Sequence, residues 1–523
     1  MKVGPERARG LSTVWPALAG AAQAASIAMP GSGQAQGWLQ VLSLAALAAG
    51  LVSLARHTPS VRAPYRQAAW SGGVFATTWL AGSFWWLYVS MHDVGGLPAP
   101  LAALAVCALA GALALYYAAA SAAWLVLARG ALVQKPGAVS VLFAALWTLA
   151  ELMRGRWLTG FPWGAGGYAH VDGVLSVWAP WVGVYGMGAL AAWLAMRLAL
   201  SGWRLRALKP LLGLGLVSWG LQVWGPSFTT SAGVGQVALL QANISQSAKF
   251  DAASGIRDAL QWYDAQLRAN QQPLVVAPET AIPLLPRHLP EGYWSGLQAH
   301  FAQPGRPVAL VGVPLGSLDE GYSNSVVALG PQGAAPYRYD KSHLVPFGEF
   351  IPPGFAWFIR MMNIPLGDFN RGPVVQNPWR VNGQQVAAHI CFEDVFGEEM
   401  AQSVAHTDAS VLVNLSNLAW FGGTIALEQH LNIARVRAME LGRPIVRATN
   451  TGATAHIDHL GRVVARMPTQ VRGHLVVDVD GRSGQTPYVR WVSALGLWPL
   501  WIWSMAVVAW AVWRRRGWVK PGP

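Results

Sequence analysis

Three segments of the sequence each contain a reactive side chain, and two of them place it at or just after an apolar run. Residues 275–278, Val-Val-Ala-Pro, lead to Glu279, and residues 387–390, Ala-Ala-His-Ile, lead to Cys391. Lys341 lies between them in the chain. Each apolar run predicts a buried strand, so the reactive group is expected at the strand end. The acidic stretch after Cys391 predicts a helix start, which is expected to lower the thiol pKa.

These three residue types together can perform nucleophilic catalysis. A thiolate attacks, so the thiol needs a base, and a carboxylate in a partly apolar site can act as one. A lysine ammonium can stabilise the oxyanion that forms. Two alternatives stay open. His389 lies two residues before Cys391 and offers a Cys–His pair, and, taken singly, Glu279 fits a cap and Lys341 a surface charge.

The region from 230 to 488 alternates short apolar runs with polar, helix-like patterns. Such alternation predicts a layered α/β domain. The expected strands are 235–242, 273–277, 308–313, 324–329, 385–391, 410–414, 444–449 and 453–458. The expected helices are 253–268, 291–301, 394–405 and 426–441.

The remaining sequence is typical of a membrane protein. The chain of 523 residues is 53% hydrophobic and 12% charged, whereas soluble proteins carry about 25% charged residues. Apolar stretches long enough to cross a bilayer predict eight transmembrane helices. They are 11–29, 38–55, 69–91, 99–127, 137–153, 174–199, 208–225 and 490–513. The predicted domains are 1–229 with seven helices, 230–488, and 489–523 with the last helix and a basic tail.

The positions of the basic residues predict the orientation. Lys and Arg cluster in alternate loops, whereas loops 30–37 and 92–98 have none. The positive-inside rule then places both termini in the cytoplasm and 230–488 on the outer face. Arg154 and Arg156 fall on the opposite side, either to bind a lipid phosphate or as interfacial anchors. Most of the tryptophans near span ends are expected in the interfacial belt; they are Trp85, Trp86, Trp157, Trp163 and Trp181.

Several classes of function are disfavoured. The net charge of +13 is spread between apolar runs rather than along a basic stripe, so no nucleic-acid binding is expected. Cys107 lies inside an apolar run, and no disulfide is expected. Glu428 with His430, and His456 with His459, lack matching ligands, so we expect surface or packing roles, no metal and no cofactor.

The segments around Glu279, Lys341 and Cys391 resemble the nitrilase (carbon-nitrogen hydrolase) superfamily. Five further segments are similar to the apolipoprotein N-acyltransferase family: 160–168, 243–247, 341–350, 414–421 and 434–450. Three positions depart from the family pattern and put substrate-loop details in doubt: Phe250, Phe392 and Leu418.

The resemblance implies an α-helical membrane bundle plus an αββα sandwich. It implies that Glu279 is the general base, Lys341 the transition-state stabiliser and Cys391 the nucleophile. Supporting or substrate-binding roles are implied for Glu349, Glu393, Asn324, Trp420, Phe392 and Trp163.

The implied reaction moves an sn-1 acyl chain from a membrane phospholipid to the α-amino group of a diacylglyceryl-cysteine apolipoprotein. A thioester intermediate, a monomer and a bacterial inner-membrane location with a periplasmic catalytic domain are also expected. Aromatic residues of 347–358 are interpreted as a water-excluding loop, with interior packing as the alternative: Phe347, Phe350, Phe355, Trp357 and Phe358. The alternatives in function are a membrane-tethered amidase of the same superfamily and a lipoprotein-binding chaperone with a decayed site.

Overall fold

The long apolar runs form helices in the computed structural model. The structure describes residues 5–57, 62–129, 135–202, 208–246, 254–331, 336–359 and 368–516. Helices occur at all eight predicted span positions, and seven of them precede the α/β region. They are α1 (Pro5–Ile27), α2 (Gly37–His57), α3 (Arg62–Phe84), α4 (Ala99–Ala128), α5 (Pro136–Arg156), α6 (Ala179–Leu200) and α7 (Leu208–Trp224).

Fewer than eight of the described helices have the length and hydropathy of a membrane span. Within the described ranges, four helical stretches are long and apolar enough to cross a bilayer, and five if the bent pair at 487–515 counts as one. They are Gly37–Arg56, Ala99–Ala128, Pro136–Thr159 and Ser176–Leu200. α7 has 17 residues, so it is short for a span. About eight spans is therefore not confirmed.

Arg154 was predicted either to bind a lipid phosphate or to anchor the chain at the membrane interface, and its environment is neither of these. Its side chain is fully buried in the helical unit, where Nε donates to the Tyr117 hydroxyl at 2.9 Å. Its Nη1 donates to the carbonyls of Phe161 and Trp163 at 2.6 and 2.7 Å. Because the carbonyls of Phe161 and Trp163 accept these hydrogen bonds, Arg154 holds the segment after α5 in place rather than facing a lipid phosphate or the interface.

The interfacial assignment of the tryptophans is wrong for Trp86 and Trp163, which are both 2% exposed. It fits Trp85 and Trp157 better, since both expose about half of their surface. An indole needs a partner for its N–H when buried, and apolar neighbours for its rings. Residue type and position alone do not distinguish these two environments.

The α/β unit comprises residues 86–102 and 227–494. Among its described residues, the helices of nine or more residues are α8 (Gly255–Ala269), α9 (Tyr293–Phe301), α10 (Gly397–Thr407), α11 (Ala426–Leu441) and α12 (Pro487–Leu495). Helix α13 (Trp498–Arg516) follows in the helical unit. Its strands are β1 (Thr229–Gln241), β2 (Leu274–Ala277), β3 (Val308–Ser317), β4 (Gly321–Leu329), β5 (Arg338–Asp340), β6 (Trp379–Val381), β7 (Gln384–Ile390), β8 (Val411–Ser416), β9 (Ile445–Thr449), β10 (Ala455–Ile457), β11 (Val463–Arg466) and β12 (Gly473–Gly484).

Two six-stranded sheets form the centre of this unit. Their strand orders are β12-β1-β2-β3-β4-β5 and β11-β10-β9-β8-β7-β6. The middle strands β1, β2 and β3 run parallel, as do β7, β8 and β9, and the outer pairs are antiparallel. Parallel strands need both faces covered, which explains why β2 is entirely apolar and buried and why the second half of β1 is buried.

Alternate residues of the strands fill two different cores. Leu274 and Val276 of β2 belong to a core shared with the second sheet, including Ile390 and Val413. Val275 and Ala277 point to the other face and pack with residues of α8 and α9. α10 and α11 bury apolar residues in turn. The layers confirm the predicted nitrilase-like sandwich.

The eight predicted strands are present, whereas four others among the described residues were missed. β5 and β6 have three residues each and β11 has four, too short to show an alternating pattern. β12 is mostly exposed or half-buried along its length, and its pairing with β1 gives it its place in the sheet. Strand pairing with distant residues, rather than local hydrophobicity, creates these elements.

Candidate active site

The sandwich positions the predicted reactive residues at strand ends. Glu279 follows β2, Lys341 follows β5 and Cys391 follows β7. The Lys341 amide donates to the Asn324 carbonyl at 2.9 Å, which ties it to β4. Cys391 has φ of 52°, a left-handed conformation that costs about 1 kcal/mol or more in a non-glycine residue. The turn therefore holds Cys391 in a conformation that other contacts must stabilise.

The Lys341 ammonium lies between two carboxylates. Its Nζ is 3.2 Å from Glu279 Oε1 and 3.0 Å from Glu349 Oε1, and Lys341 is only 1% exposed. Both glutamates are buried too. A buried ammonium needs such partners, because an unpaired charge in the protein interior is strongly destabilising.

The two carboxylates are held by further donors. The Asn324 amide donates to Oε1 of Glu279 and of Glu349, at 2.7 Å in each case. Glu279 Oε2 accepts from the Asn417 backbone N–H, and Glu349 Oε2 from that of Val345, both at 2.9 Å. Each carboxylate oxygen therefore has a fixed partner, which leaves little rotational freedom.

Charges at the site act on the Cys391 thiol. Cys391 keeps part of its surface exposed, but burial of its thiol raises the pKa well above the ordinary value. Glu279 raises this pKa further, whereas Lys341 and a hydrogen bond from the Asn417 backbone oppose the increase. The expected lowering by a helix N-terminus is wrong, because a 3-10 turn over 391–395 separates Cys391 from α10. The resting thiol is protonated, so it needs a base.

The Lys341 ammonium remains charged in this environment. Burial lowers the pKa of Lys341, but the neighbouring Glu279 and Glu349 carboxylates, with Cys391, raise it above its ordinary value. The positive charge is therefore present at neutral pH, where it can favour a negative charge developing nearby.

Glu393 joins two of these segments without contacting Lys341. Its carboxylate accepts from the Ser342 N–H and hydroxyl, at 2.7 and 2.6 Å, and from the Tyr339 hydroxyl at 2.8 Å. It also accepts from the Ile390 N–H at 2.5 Å. The residues flanking Lys341 are thereby tied to the one preceding Cys391.

The remaining predicted residues have varied surroundings. Phe392 packs its ring against Phe396, with centroids 5.3 Å apart. Trp420 is half-buried in the short helical turn Leu418–Phe421 that follows β8. Trp163 belongs to the helical unit, where its carbonyl accepts from Arg154. Their roles in substrate binding stay predictions.

His389 is engaged with a carboxylate. Its Nε2 is 2.6 Å from Asp394 Oδ1, and both side chains are buried. Since Nε2 of His389 is directed to Asp394, this contact does not support the alternative in which His389 pairs with Cys391.

The aromatic segment has both exposed and packed residues. Phe347 packs edge-on against Phe355, with centroids 5.3 Å apart, and the Arg371 guanidinium lies 4.8 Å from the Phe350 ring. Phe355 and Trp357 are 44% and 55% exposed, which favours a loop at the surface over interior packing. The Phe358 side chain, like Ser247 and Phe250, lies outside the described residues.

Asn417 was not singled out from the sequence. Its backbone N–H contacts Glu279, and its side-chain amide donates to Gln246 Oε1 at 2.8 Å. The available signal was its position: it follows β8 just as Glu279 follows β2 and Cys391 follows β7. Parallel strands bring such residues to one edge of a sheet.

Two family models match different parts of the chain. Residues 236–488 match the family model described as carbon-nitrogen hydrolase, and residues 20–197 match the apolipoprotein N-acyltransferase N-terminal domain. The crystal structure of a carbon-nitrogen hydrolase from Helicobacter pylori G27 has a TM-score of 0.35 and 18% identity, covering 51% of this chain and 94% of that one.

Curated relatives then extend the match over most of the chain. The apolipoprotein N-acyltransferase of Verminephrobacter eiseniae is 50% identical, covering 92% of this chain and 93% of that protein. The one from Ralstonia nicotianae is 47% identical, covering 88% of this chain and 87% of that protein. The chain belongs to the apolipoprotein N-acyltransferase family, and it is an acyltransferase with a nitrilase-like domain.

Proposed function

We propose that this protein transfers the sn-1 acyl chain of a membrane phospholipid to the α-amino group of an N-terminal diacylglyceryl-cysteine. The reaction is ping-pong, with a thioester on Cys391, and it completes lipoprotein maturation. The enzyme acts as a monomer in the bacterial inner membrane. Residues 1–229 and 489–523 anchor it, and 230–488 form a periplasmic catalytic domain.

The observation that carries this proposal is the shared position of Lys341 between two carboxylates. Its Nζ contacts Glu279 Oε1 and Glu349 Oε1 at 3.2 and 3.0 Å, and both carboxylates affect the Cys391 thiol electrostatically. The two carboxylates and the ammonium are thus in direct contact, and their charges act on the Cys391 thiol. These are the groups that acyl transfer through a covalent intermediate requires.

In the first half-reaction, Glu279 takes the thiol proton and the Cys391 sulfur attacks the sn-1 ester carbonyl. The Lys341 ammonium stabilises the negative charge on the carbonyl oxygen. The intermediate then collapses, the carbon–oxygen bond breaks and Glu279 returns its proton to the departing lysophospholipid oxygen. The acyl chain remains on Cys391 as a thioester.

In the second half-reaction, the amine of the diacylglyceryl-cysteine attacks the thioester carbonyl. Glu279 takes a proton from the attacking nitrogen, and Lys341 again stabilises the oxyanion. The carbon–sulfur bond breaks, the amide is released, and the sulfur regains its proton from Glu279. Glu349 keeps Lys341 and Asn324 in place during both steps, in keeping with its two contacts.

Water competes with the amine for the thioester, so the intermediate must be shielded. The partly exposed aromatic residues Phe355 and Trp357 are suited to lie against lipid and reduce access of water. This assignment agrees with the proposed placement of the catalytic domain at the outer membrane face. It also explains why a hydrolase fold serves a transfer reaction.

The test is intact-protein mass spectrometry of purified enzyme incubated with a phospholipid that carries different sn-1 and sn-2 chains. The expected result is one added acyl group of the sn-1 mass, released by neutral hydroxylamine as thioesters are. The Cys391→Ala variant should lack the adduct.

The second cysteine of the chain provides a matched control. Cys107→Ala should keep the adduct, because Cys107 lies on helix α4 of the helical unit. An adduct that persists in Cys391→Ala, or one with the sn-2 mass, would contradict the proposal. When a diacylated lipopeptide is added, the protein should lose the adduct and the peptide should gain the same acyl mass. That result would demonstrate the second half-reaction.

A further inference from the structure

A second group of buried polar residues lies directly behind Cys391 and has no part in the steps above. His430 of α11, Arg447 of β9 and Asp394 are fully buried, or nearly so. Arg447 Nη1 contacts Asp394 Oδ2 at 3.1 Å and donates to the His430 carbonyl at 2.9 Å. Such a costly burial of charge calls for a role.

The contacts determine which nitrogen of His430 carries the proton. Arg447 Nη2 lies 2.7 Å from His430 Nδ1, and a guanidinium can only donate. Nδ1 is therefore the acceptor, so the proton of the neutral ring is on Nε2. That N–H lies 3.1 Å from the Cys391 carbonyl oxygen and 3.4 Å from Asp394 Oδ2.

The charge state of the ring agrees with this assignment. Burial lowers the pKa of His430 to about 3, and the Arg447 guanidinium acts in the same direction. The imidazole is thus neutral near pH 7, which the contact of Nδ1 with the guanidinium requires.

The carbonyl of Cys391 has a second donor. The Asn414 amide lies 3.4 Å from the same oxygen, and the Ser416 hydroxyl fixes the Asn414 side-chain oxygen. The peptide unit is planar, so fixing its oxygen also restricts ψ of Cys391, and with it the direction in which the side chain leaves the backbone. Cys391 has the unfavourable φ of 52°, which persists only if surrounding contacts hold it.

We infer that His430 is a positioning residue that holds the Cys391 carbonyl, and through it the direction of the thiol, with Arg447 setting the required tautomer. Asn414 is the second anchor of the same oxygen. This inference rests on the proposed role of Cys391 as the nucleophile. It assigns a task to a histidine that the sequence alone left as a surface or packing residue.

The experiment measures how fast iodoacetamide alkylates Cys391 in the full-length protein in detergent, at about pH 8. All variants carry Cys107→Ala, so that one thiol reacts. In His430→Asn, the amide lies near the position of Nδ1, so the donor to the Cys391 carbonyl is lost. This variant should alkylate about 10-fold more slowly. His430→Gln places an amide N–H near the position of Nε2 and should keep at least about one third of the rate.

A second readout separates positioning from general stability. For acyl transfer, His430→Asn should lower kcat by about 10-fold and change the phospholipid KM less than about 2-fold. The melting temperatures of the Asn and Gln variants should agree closely. His456→Asn, a buried histidine of β10 in the same sheet, is the matched control and should keep the wild-type alkylation rate.

The outcomes are decisive even if one variant does not fold. An unchanged alkylation rate in folded His430→Asn, or an equal loss in the Asn and Gln variants, overturns the inference. If His430→Asn does not fold, Asn414→Ala should slow alkylation about 3-fold, and an unchanged rate there overturns it as well. Failure of the proposed function is seen separately, as acyl transfer that survives Cys391→Ala.

Discussion

The indole nitrogen of Trp86 donates to the side-chain oxygen of Gln429 at 3.0 Å, across 343 residues of sequence. The Trp86 ring also packs against Phe421, with centroids 4.3 Å apart. Phe421 ends the short helical turn that begins next to Asn417, whose N–H binds Glu279. A segment predicted as the end of a membrane span thus supports a loop of the candidate active site.

Trp86→Ala should destabilise the α/β unit by about 3 kcal/mol, because a buried ring and a hydrogen bond are lost together. Trp86→Phe should cost about 1 kcal/mol, since it keeps most of the packing and loses the indole donor. Thermal unfolding in detergent measures both. Trp85→Ala is the neighbouring control at an exposed position. Equal melting temperatures for Trp85→Ala and Trp86→Ala would show that the contact is not stabilising.

Glu279→Gln should separate the chemistry of the site from its electrostatics. Acyl transfer should fall at least about 100-fold, because the proposed base is lost. The thiol should nevertheless titrate at a lower pH, since the Glu279 carboxylate raises the Cys391 pKa. The pH dependence of iodoacetamide alkylation in a Cys107→Ala background measures this shift.

In Lys341→Met, the Cys391 thiol should titrate at a higher pH than in wild type, because the ammonium opposes the increase in the Cys391 pKa. Acyl transfer should fall here as well. Glu279→Gln and Lys341→Met should therefore both lose activity but shift the pH at which the thiol titrates in opposite directions. If both variants moved the alkylation midpoint to the same side, the electrostatic description of the site would be incorrect.

Asn324→Leu should reduce acyl transfer by about 10- to 100-fold, the effect of losing a hydrogen bond to a charged group. Its amide is shared by Glu279 and Glu349 at 2.7 Å each, so both carboxylates gain rotational freedom. Steady-state kinetics with a diacylated lipopeptide measures the loss. Ser325→Ala, the next position on β4, contacts Asp340 instead and should remain close to wild type. Wild-type kcat in Asn324→Leu would exclude a positioning role.

The α/β unit should lose stability as the pH falls below about 6.5, in part through His430. The folded state keeps this ring neutral until about pH 3, whereas the unfolded chain protonates it near the ordinary value of 6.5. The unfolded state therefore binds more protons between these values, so the free energy of unfolding decreases with decreasing pH. Melting temperatures at about pH 7 and 4.5 should differ less in His430→Gln than in wild type. An identical pH dependence in both would argue against a neutral buried His430.

The strand pattern was predictable because it depends on neighbours in the chain. The apolar run before Glu279 and the one before Cys391 mark β2 and β7, and both residues fall where those strands end. The short strand β5 before Lys341 was not predicted, since its three residues are stabilised by pairing with β4. The reactive residues were therefore easier to predict than the strands that position them.

The interpretation of single residues failed where burial decided the outcome. Trp86 and Trp163 have the composition and position of belt residues, yet both are enclosed by protein. Arg154 has the charge expected of a lipid contact, yet its guanidinium donates to the Tyr117 hydroxyl and to two backbone carbonyls. Nothing in the neighbouring sequence specifies which atoms pack against these side chains.

The sequence by itself determined the apolar helices, the α/β alternation and the three reactive residue types, because periodicity and strand ends are local properties. Tertiary structure alone decided that Lys341 lies between Glu279 and Glu349. It also decided that the pKa of the Cys391 thiol is higher than the ordinary value, not lower. It also brought His430 to the Cys391 carbonyl. Distances, burial and the resulting electrostatics arise from residues far apart in the chain, and only the order of strands in the two sheets brings them together.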